Sequence, residues 1–501
     1  MGEAPRPQDL LARILPAVAA RHREAWLVGG WVRDRLLGVD SHDIDLVVPT
    51  GAVATARHLA DLVGGAFVLL DETRDTARVV VGAPGDAIYL DLAGMRGPGI
   101  EADLMARDFT VNAMALAAAA YCEPEPTIID PSGGRRDLAA RRLRAVSPGA
   151  FRDDPLRTLR GVRLGAALGF DLDDETAAWM RQDAALLSTV SRERVRDELM
   201  QMLALPRAER SLRRLDGLGL LEQVLPELAA LRQVEARYGG EVSALDRSLR
   251  TVGIAQEMLD WLAGTASALP GVAAATLQAL VDPYRARLVQ YLGELLPGGR
   301  SKATLLLLAT SLHEVGKGAT EQGHAGAGGR FLDHEVLGAS MAATIGRRLC
   351  LSSAETARLR LAVRNHSRPW ELAREAEAAP SRRAMYRFFR DAEPAGVEAI
   401  LLSLAHHLAT YGSNLDPERW RRHVAASAAL LEACFDRREE IVDPRPLIDG
   451  HGLIETLDLV PGPGVGVLLD GIREAQAAGE VHSREEALTV ARHLLEREGL
   501  R

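Results

Sequence analysis

Aromatic residues make up 4% of the 501-residue chain, and lysine occurs at Lys302 and Lys317 only. Cys122, Cys350 and Cys434 are scattered, odd in number and without CxxC spacing, which excludes a disulfide framework and a thiolate zinc site. No apolar run approaches the about 18 residues that a membrane-spanning helix needs. The first residues, MGEAPRPQDLLARIL, lack a basic flank followed by a long apolar core, so no signal peptide is expected, and the expected location is cytoplasmic. A net charge of −9 argues against indiscriminate coating of nucleic acid, but allows a local basic groove. What remains, 47% hydrophobic and 26% charged residues, is an ordinary globular composition with enough length for several cores.

Residues 25 to 92 alternate apolar runs with turns. The pattern predicts strands at 25–28, 43–48, 66–70, 77–82 and 88–92, and helices at 10–20 and 52–63. From about Pro148 strand signals nearly vanish, and helices are separated by breaks near 226–237, 269–271, 298–300 and 443–446. The glycine-rich stretch 323–329 reads as a loop, and no repeat of solenoid period is present.

The stretch from Leu27 to Val48 reads LVGGWVRDRLLGVDSHDIDLVV. Side chains alternate across a strand, so Asp43 and Asp45 share one face and Ile44 takes the other. Two adjacent carboxylates repel unless a cation lies between them, which suits divalent metal with a nucleoside triphosphate. Gly29 and Gly30 precede a helix, where backbone N–H groups can approach phosphate oxygens.

Further strings follow in order. RDFTVNAMAL (107–116) reads by composition as a capped helix, with Thr110 or Asn112 near its start and Ala113, Met114 and Leu116 as core. Tyr89-Leu90-Asp91-Leu92 places an acid on a predicted strand. DPSGGRRDL (130–138) is a turn and helix start. In FRDDPLRTLRGVRLGAALGF (151–170), Asp154 and Arg157 are three apart and on a helix would share a face. Arg offers only donors and ionised Asp only acceptors, a pair that matches the amino group and ring nitrogen of cytosine or adenine and mismatches uracil and guanine. Nine arginines between Arg135 and Arg163 are read as lining a groove for RNA.

Together these strings resemble the bacterial CCA tRNA nucleotidyltransferase and poly(A) polymerase family, class II of the DNA polymerase β superfamily. The resemblance implies an α+β fold: a mixed-sheet nucleotidyltransferase head (1–147), an α-helical neck binding base and RNA (148–228), an HD-like helical body (229–440) and a helical segment contacting tRNA (441–501). It implies two Mg2+ ions, with Mn2+ as an alternative, on Asp43 and Asp45, and a third, assisting acid at Asp91. Gly29, Gly30 and Arg33 would hold the triphosphate. Arg107, Asp108 and Asn112 would contact sugar and phosphates, in a motif where Ala106 replaces the family's usual first Arg. Asp154 and Arg157 would read the base, with Arg160 next on the same face, and Arg194 and Arg196 would reach triphosphate or RNA.

The implied substrates are CTP, ATP and the tRNA 3′ end, and the implied product is a complete CCA end. Poly(A), CC alone and A alone are the alternatives, and an idle RNA-binding scaffold or a hydrolase is a remote one. LLLLATSLHEVGK (305–317) resembles an HD phosphohydrolase, but the His-Asp pair is His313-Glu314, Asp246-Arg247 stand where the first His is usual, and Ala405-His406 replace Ala-Asp. His334 and His366 remain. Three imidazoles and one carboxylate can hold a metal, but the departures favour a scaffold that kept its packing and lost its chemistry. No oligomeric state follows from the sequence.

Overall fold

The computed structural model describes residues 6–83, 86–234, 242–266, 274–318, 334–376 and 379–498. The loop expected at 323–329 and the break at 269–271 lie outside these residues, and the break at 226–237 lies partly outside them. The chain divides into two compact units, 1–190 with 218–220, and 191–217 with 221–501.

The first unit is built on a seven-stranded mixed sheet. Its strands are β1 (Trp26–Val28), β2 (Asp43–Val48), β3 (Ala66–Asp71), β4 (Thr76–Val81), β5 (Ile88–Gly94), β6 (Ala115–Ala117) and β7 (Ile128–Ile129). Their spatial order is β3-β4-β5-β2-β1-β6-β7. β2 and β5 run parallel, with Asp45 opposite Asp91, and β1 pairs antiparallel to β2, with Val28 opposite Asp45.

The alternation in β2 is decisive. Ile44, Leu46 and Val48 are at most 1% exposed, and burial of such side chains contributes about 1.5–3 kcal/mol each. The helices Pro7–Arg21 and Ala52–Val63 bury the apolar faces their spacing predicts. On the other face of the sheet, Trp26, Val28, Val47, Leu104, Ala113 and Ala115 form a cluster. That face is therefore apolar at one end of β2 and acidic at the other. A slip of one residue would bury the acids and expose the core residues, which fixes the register.

The segment RDFTVNAMAL departs from the helix its composition favours. Thr110–Asn112 form one 3-10 turn, and Ala115–Ala117 pair with β1 and β7. The ladder offered by β1 outweighs the helical preference of Ala, Met and Leu.

The second unit is helical. Its body includes helices Ala244–Ala263, Lys302–Leu312, His334–Arg348, Ser353–Asn365, Gly396–Tyr411 and Pro417–Phe435. Helices Gly450–Leu457, Pro463–Ala478 and Arg484–Glu498 follow, around a small core of Leu453, Leu468, Ile472, Ala487 and Ala491. Among the described residues, the one strand after Pro148 is the two-residue Asp171–Leu172, which pairs with Arg142–Leu143. No described helix is long and apolar enough to cross a membrane.

Candidate active site

The acidic end of β2 is where the sequence-derived residues converge. Asp43 is exposed and Asp45 partly exposed on the same face. Burial, reinforced by Asp91 and Asp43 and opposed by Arg107, pushes the Asp45 carboxyl up to about 6. A carboxyl raised in this way by burial and by adjacent acids is one that gains from a cation. Asp43 and Asp45, on one face of β2, offer hard carboxylate oxygens, so these two residues fit Mg2+. Asp91 is held in a bidentate pair by Arg78, with Nε–Oδ1 at 2.7 Å and an NH2–Oδ2 bond of 2.8 Å. This pair fixes the third acid beside Asp45 and offsets part of the local negative charge.

Gly29 is pressed against this cluster. Its φ is +71°, and a Cβ there would stand 2.8 Å from Asp45 Oδ2 and 3.2 Å from the Arg107 guanidinium. Gly29 caps the helix Gly30–Leu37, whose first N–H groups open beside the acids. Arg33, on that helix, donates to Asn112 Oδ1 (2.7 Å) and to Asp34 (2.8 Å). It thereby ties the glycine string to the RDFTVNA string. Arg107 donates from Nε and NH2 to Asp103, which aims its guanidinium toward Gly29.

The base-reading pair differs from the expected geometry. Asp154 and Arg157 do not share one helix. A short helix, Ala150–Asp153, ends at Asp154 in an extended conformation, and a new helix begins at Arg157. The cause is Pro155, which disfavours α conformation in the residue before it. Arg157 is 8% exposed. It donates to the backbone carbonyls of Ala106 (2.9 Å), Arg107 and Ala150 (3.2 Å each). It is thus a structural tie between the RDFTVNA string and the first neck helices. Asp154 accepts from the N–H of Leu156. Asp108, buried, accepts from Phe109 N–H and from Arg160 NH1 (3.3 Å).

The turn DPSGGRRDL is equally bound in. Asp130 accepts from the N–H groups of Gly134 and Arg135. Asp137 accepts from Thr110 and Arg144. Arg194 and Arg196 belong to the second unit, on helix Arg192–Ala204. Arg194 is exposed, and Arg196 donates to Asp197 and to the carbonyl of Cys350.

Comparison with known proteins bears on this arrangement. A family model described as the poly A polymerase head domain matches residues 25–98 and 93–144. One described as a probable RNA and SrmB-binding site of polymerase A matches 169–231, and the HD domain matches 285–411. The CC-adding tRNA nucleotidyltransferase of Geobacter sulfurreducens is 35% identical over 94% of this chain and 93% of its own. The A-adding tRNA nucleotidyltransferase of Deinococcus radiodurans is 35% identical over 92% and 94%.

The chain belongs to the tRNA nucleotidyltransferase family.

Its fold is that of a solved CCA-adding enzyme in apo form, with a TM-score of 0.62 at 20% identity over 99% of this chain and 96% of that one. As a family member it is an enzyme, a nucleotidyltransferase, and its relatives are named for adding CC or A to tRNA. Sequence reading missed β6 and β7, and it missed the part played by Asp103 and Arg78 in orienting Arg107 and Asp91. The i,i+4 spacing of Asp103 and Arg107 was the available signal for the first.

Proposed function

We propose that this nucleotidyltransferase adds C residues to the 3′ end of tRNA from CTP, with release of pyrophosphate. The carrying observation is the alignment of Asp43, Asp45 and Asp91 on one sheet face beside the Gly29 helix entrance. Asp43 and Asp45 would hold Mg2+, which when bound lowers the pKa of the RNA 3′-hydroxyl and stabilises departing pyrophosphate. Gly29 and Gly30 bring backbone N–H groups to the triphosphate, and Arg33 and Arg107 supply positive charge beside it. Asp108 and Asn112 contact the sugar and phosphates. Asp154 reads the incoming base with whatever part of the Arg157 guanidinium is not spent on backbone carbonyls, Arg160 is next on the Arg157 helix, and Arg194 contacts RNA. The arginines of 135–163 line the acceptor groove.

CC as the product rests on two points. Four relatives matched over more than nine tenths of this chain each add part of the CCA end: three are CC-adding, from Geobacter sulfurreducens, Synechocystis and Thermus thermophilus, and one is A-adding. In addition, an untemplated site that adds C and then A must change its base preference, which needs a movable element. At the end of β2 opposite these acids, the links of the sheet are short and pinned. The β3–β4 turn is Glu72–Asp75, and after β5 Met95 N–H bonds Val48 O while Arg96 N–H bonds Asp103. Complete CCA addition, with ATP as a second substrate, is the other reading. It is favoured by a Neisseria gonorrhoeae multifunctional CCA protein that is 36% identical over 47% of this chain. Asp43→Ala with Asp45→Ala should abolish CTP incorporation with an unchanged melting curve; near-normal turnover would refute the assignment.

A further inference from the structure

The helical body brings three histidines from three helices to one point. His313 follows the last turn of Lys302–Leu312, His366 follows the last turn of Ser353–Asn365, and His406 lies within Gly396–Tyr411. One ligand nitrogen from each lies within 4.8 Å of the other two. The ring centroids of His313 are 4.8 Å from His406 and 5.2 Å from His366. His313 is fully buried and His366 is 1% exposed.

The protonation of two of these rings is set by backbone. His313 Nδ1 is 2.7 Å from Thr310 O, and His366 Nδ1 is 2.8 Å from Val363 O. A carbonyl only accepts, so each Nδ1 carries the hydrogen and each Nε2 presents a lone pair. The same local device occurs twice, each time at a helix end. It is how metal-binding imidazoles are oriented by outer partners. Among the described residues, the Nε2 of His313 has no hydrogen-bond partner, and the side chain is fully buried. The lone pairs of His313 and His366, brought close together in a dry interior, repel, and a cation between them removes the repulsion.

The hydrolytic metal set of an HD domain does not fit here. Its carboxylate position is Glu314, which is paired to Lys317 and lies 3.5 Å from Arg247. Arg247 stands on the helix Ala244–Ala263, where the sequence lacks the first His. These two cations take the place a hard metal ion would need. Glu314 Oε1 is 3.5 Å from His406 Nε2 and 3.9 Å from His313 Nε2, so it borders the imidazoles without being free to serve a second ion.

We propose that His313, His366 and His406 bind a borderline transition-metal dication of the Zn2+ or Co2+ type, as a structural clamp across three helices and not as a hydrolytic centre. Neutral imidazole nitrogens select such ions over Mg2+ or Ca2+. A four-coordinate ion with metal–nitrogen bonds of about 2.0–2.1 Å holds its donors about 3.4 Å apart, so the rings close by roughly 1.4 Å at most. The site is separate from Asp43 and Asp45 in sequence, donor type and ion preference.

The test uses the full chain, stripped with chelator and titrated with Co2+ in excess Mg2+, which fills carboxylate sites. Four-coordinate Co2+ on nitrogen gives intense visible bands, whereas six-coordinate Co2+ on oxygen gives weak ones. One equivalent should produce the intense bands, and Zn2+ should displace them. His366→Gln and His406→Gln should each lose the bands and the upward melting shift that Zn2+ gives the parent chain, while CTP incorporation persists. His406 is partly exposed, so its variant carries the test where His366→Gln fails to fold. A weak spectrum in the parent chain, or intense bands that survive His406→Gln, would overturn the proposal.

Discussion

Gly29 and Asp45 are in such close approach that a single methyl group at position 29 would stand 2.8 Å from the Asp45 carboxylate. The glycine also has φ +71° and ψ −138°, a conformation that side chains resist. Gly29→Ala must therefore displace Asp45, Arg107 or the helix entrance. Nucleotide incorporation should fall at least tenfold, equivalent to about 1.4 kcal/mol on the barrier. Steady-state kinetics with CTP and a tRNA primer, beside a thermal melt, separates this from simple unfolding.

Arg157 binds three backbone carbonyls at once, from Ala106, Arg107 and Ala150. Lys cannot reproduce the planar fork that makes these bonds. Arg157→Lys should cost about 1–3 kcal/mol for each carbonyl left dry and unpaired, and should weaken discrimination between CTP and UTP. Denaturant unfolding and competitive incorporation read the two effects. Full selectivity at reduced stability would assign Arg157 to the scaffold alone.

His423 is fully buried, bonded to Ser403 Oγ (3.1 Å) and to His407 Nδ1 (3.0 Å), with Trp370 and Trp420 around it. Burial, and then the neighbouring His407 and His406, hold its pKa well below the usual histidine value. The folded chain keeps it neutral, while the unfolded chain takes up a proton below about pH 6.5. Stability should thus decline as pH falls from 6.5, by up to about 1.4 kcal/mol per unit for this one proton. Melting curves from pH 8 to 5 should fall less steeply for His423→Gln; parallel curves would show that the ring does not govern the acid limb.

The body should show no hydrolytic activity. Glu314 is neutralised by Lys317 and Arg247, so the carboxylate that a hydrolytic centre needs is already engaged. Incubation with 2′,3′-cyclic AMP and divalent metals should give no turnover. Robust hydrolysis abolished by His313→Ala would contradict this.

Much of the head was legible because its strands have one buried face. Alternation placed Asp43–Val48 to the residue and β5 within two residues of its end. β6 was hidden because Ala-Met-Ala-Leu-Ala favours a helix in isolation, and only the open edge of β1 makes it a strand. The break at Asp154 was legible in principle from Pro155, but the spacing of Asp154 and Arg157 suggested one continuous helix. The resemblance to an HD phosphohydrolase put His313, His334, His366 and His406 in one module, but which three converge was not legible, since it depends on how distant helices pack.

The most direct test of the account is extension of labelled tRNA transcripts ending at the discriminator base, at C and at CC. Each is incubated with the protein and Mg2+, and with CTP, ATP, UTP, GTP or a CTP and ATP mixture. The account predicts that the first two gain C up to CC and stop, and that the CC end gains nothing. Completion of all three to CCA would establish the second reading in place of CC addition, and long A tails on unrelated RNA, or no incorporation at all, would contradict tRNA end addition itself.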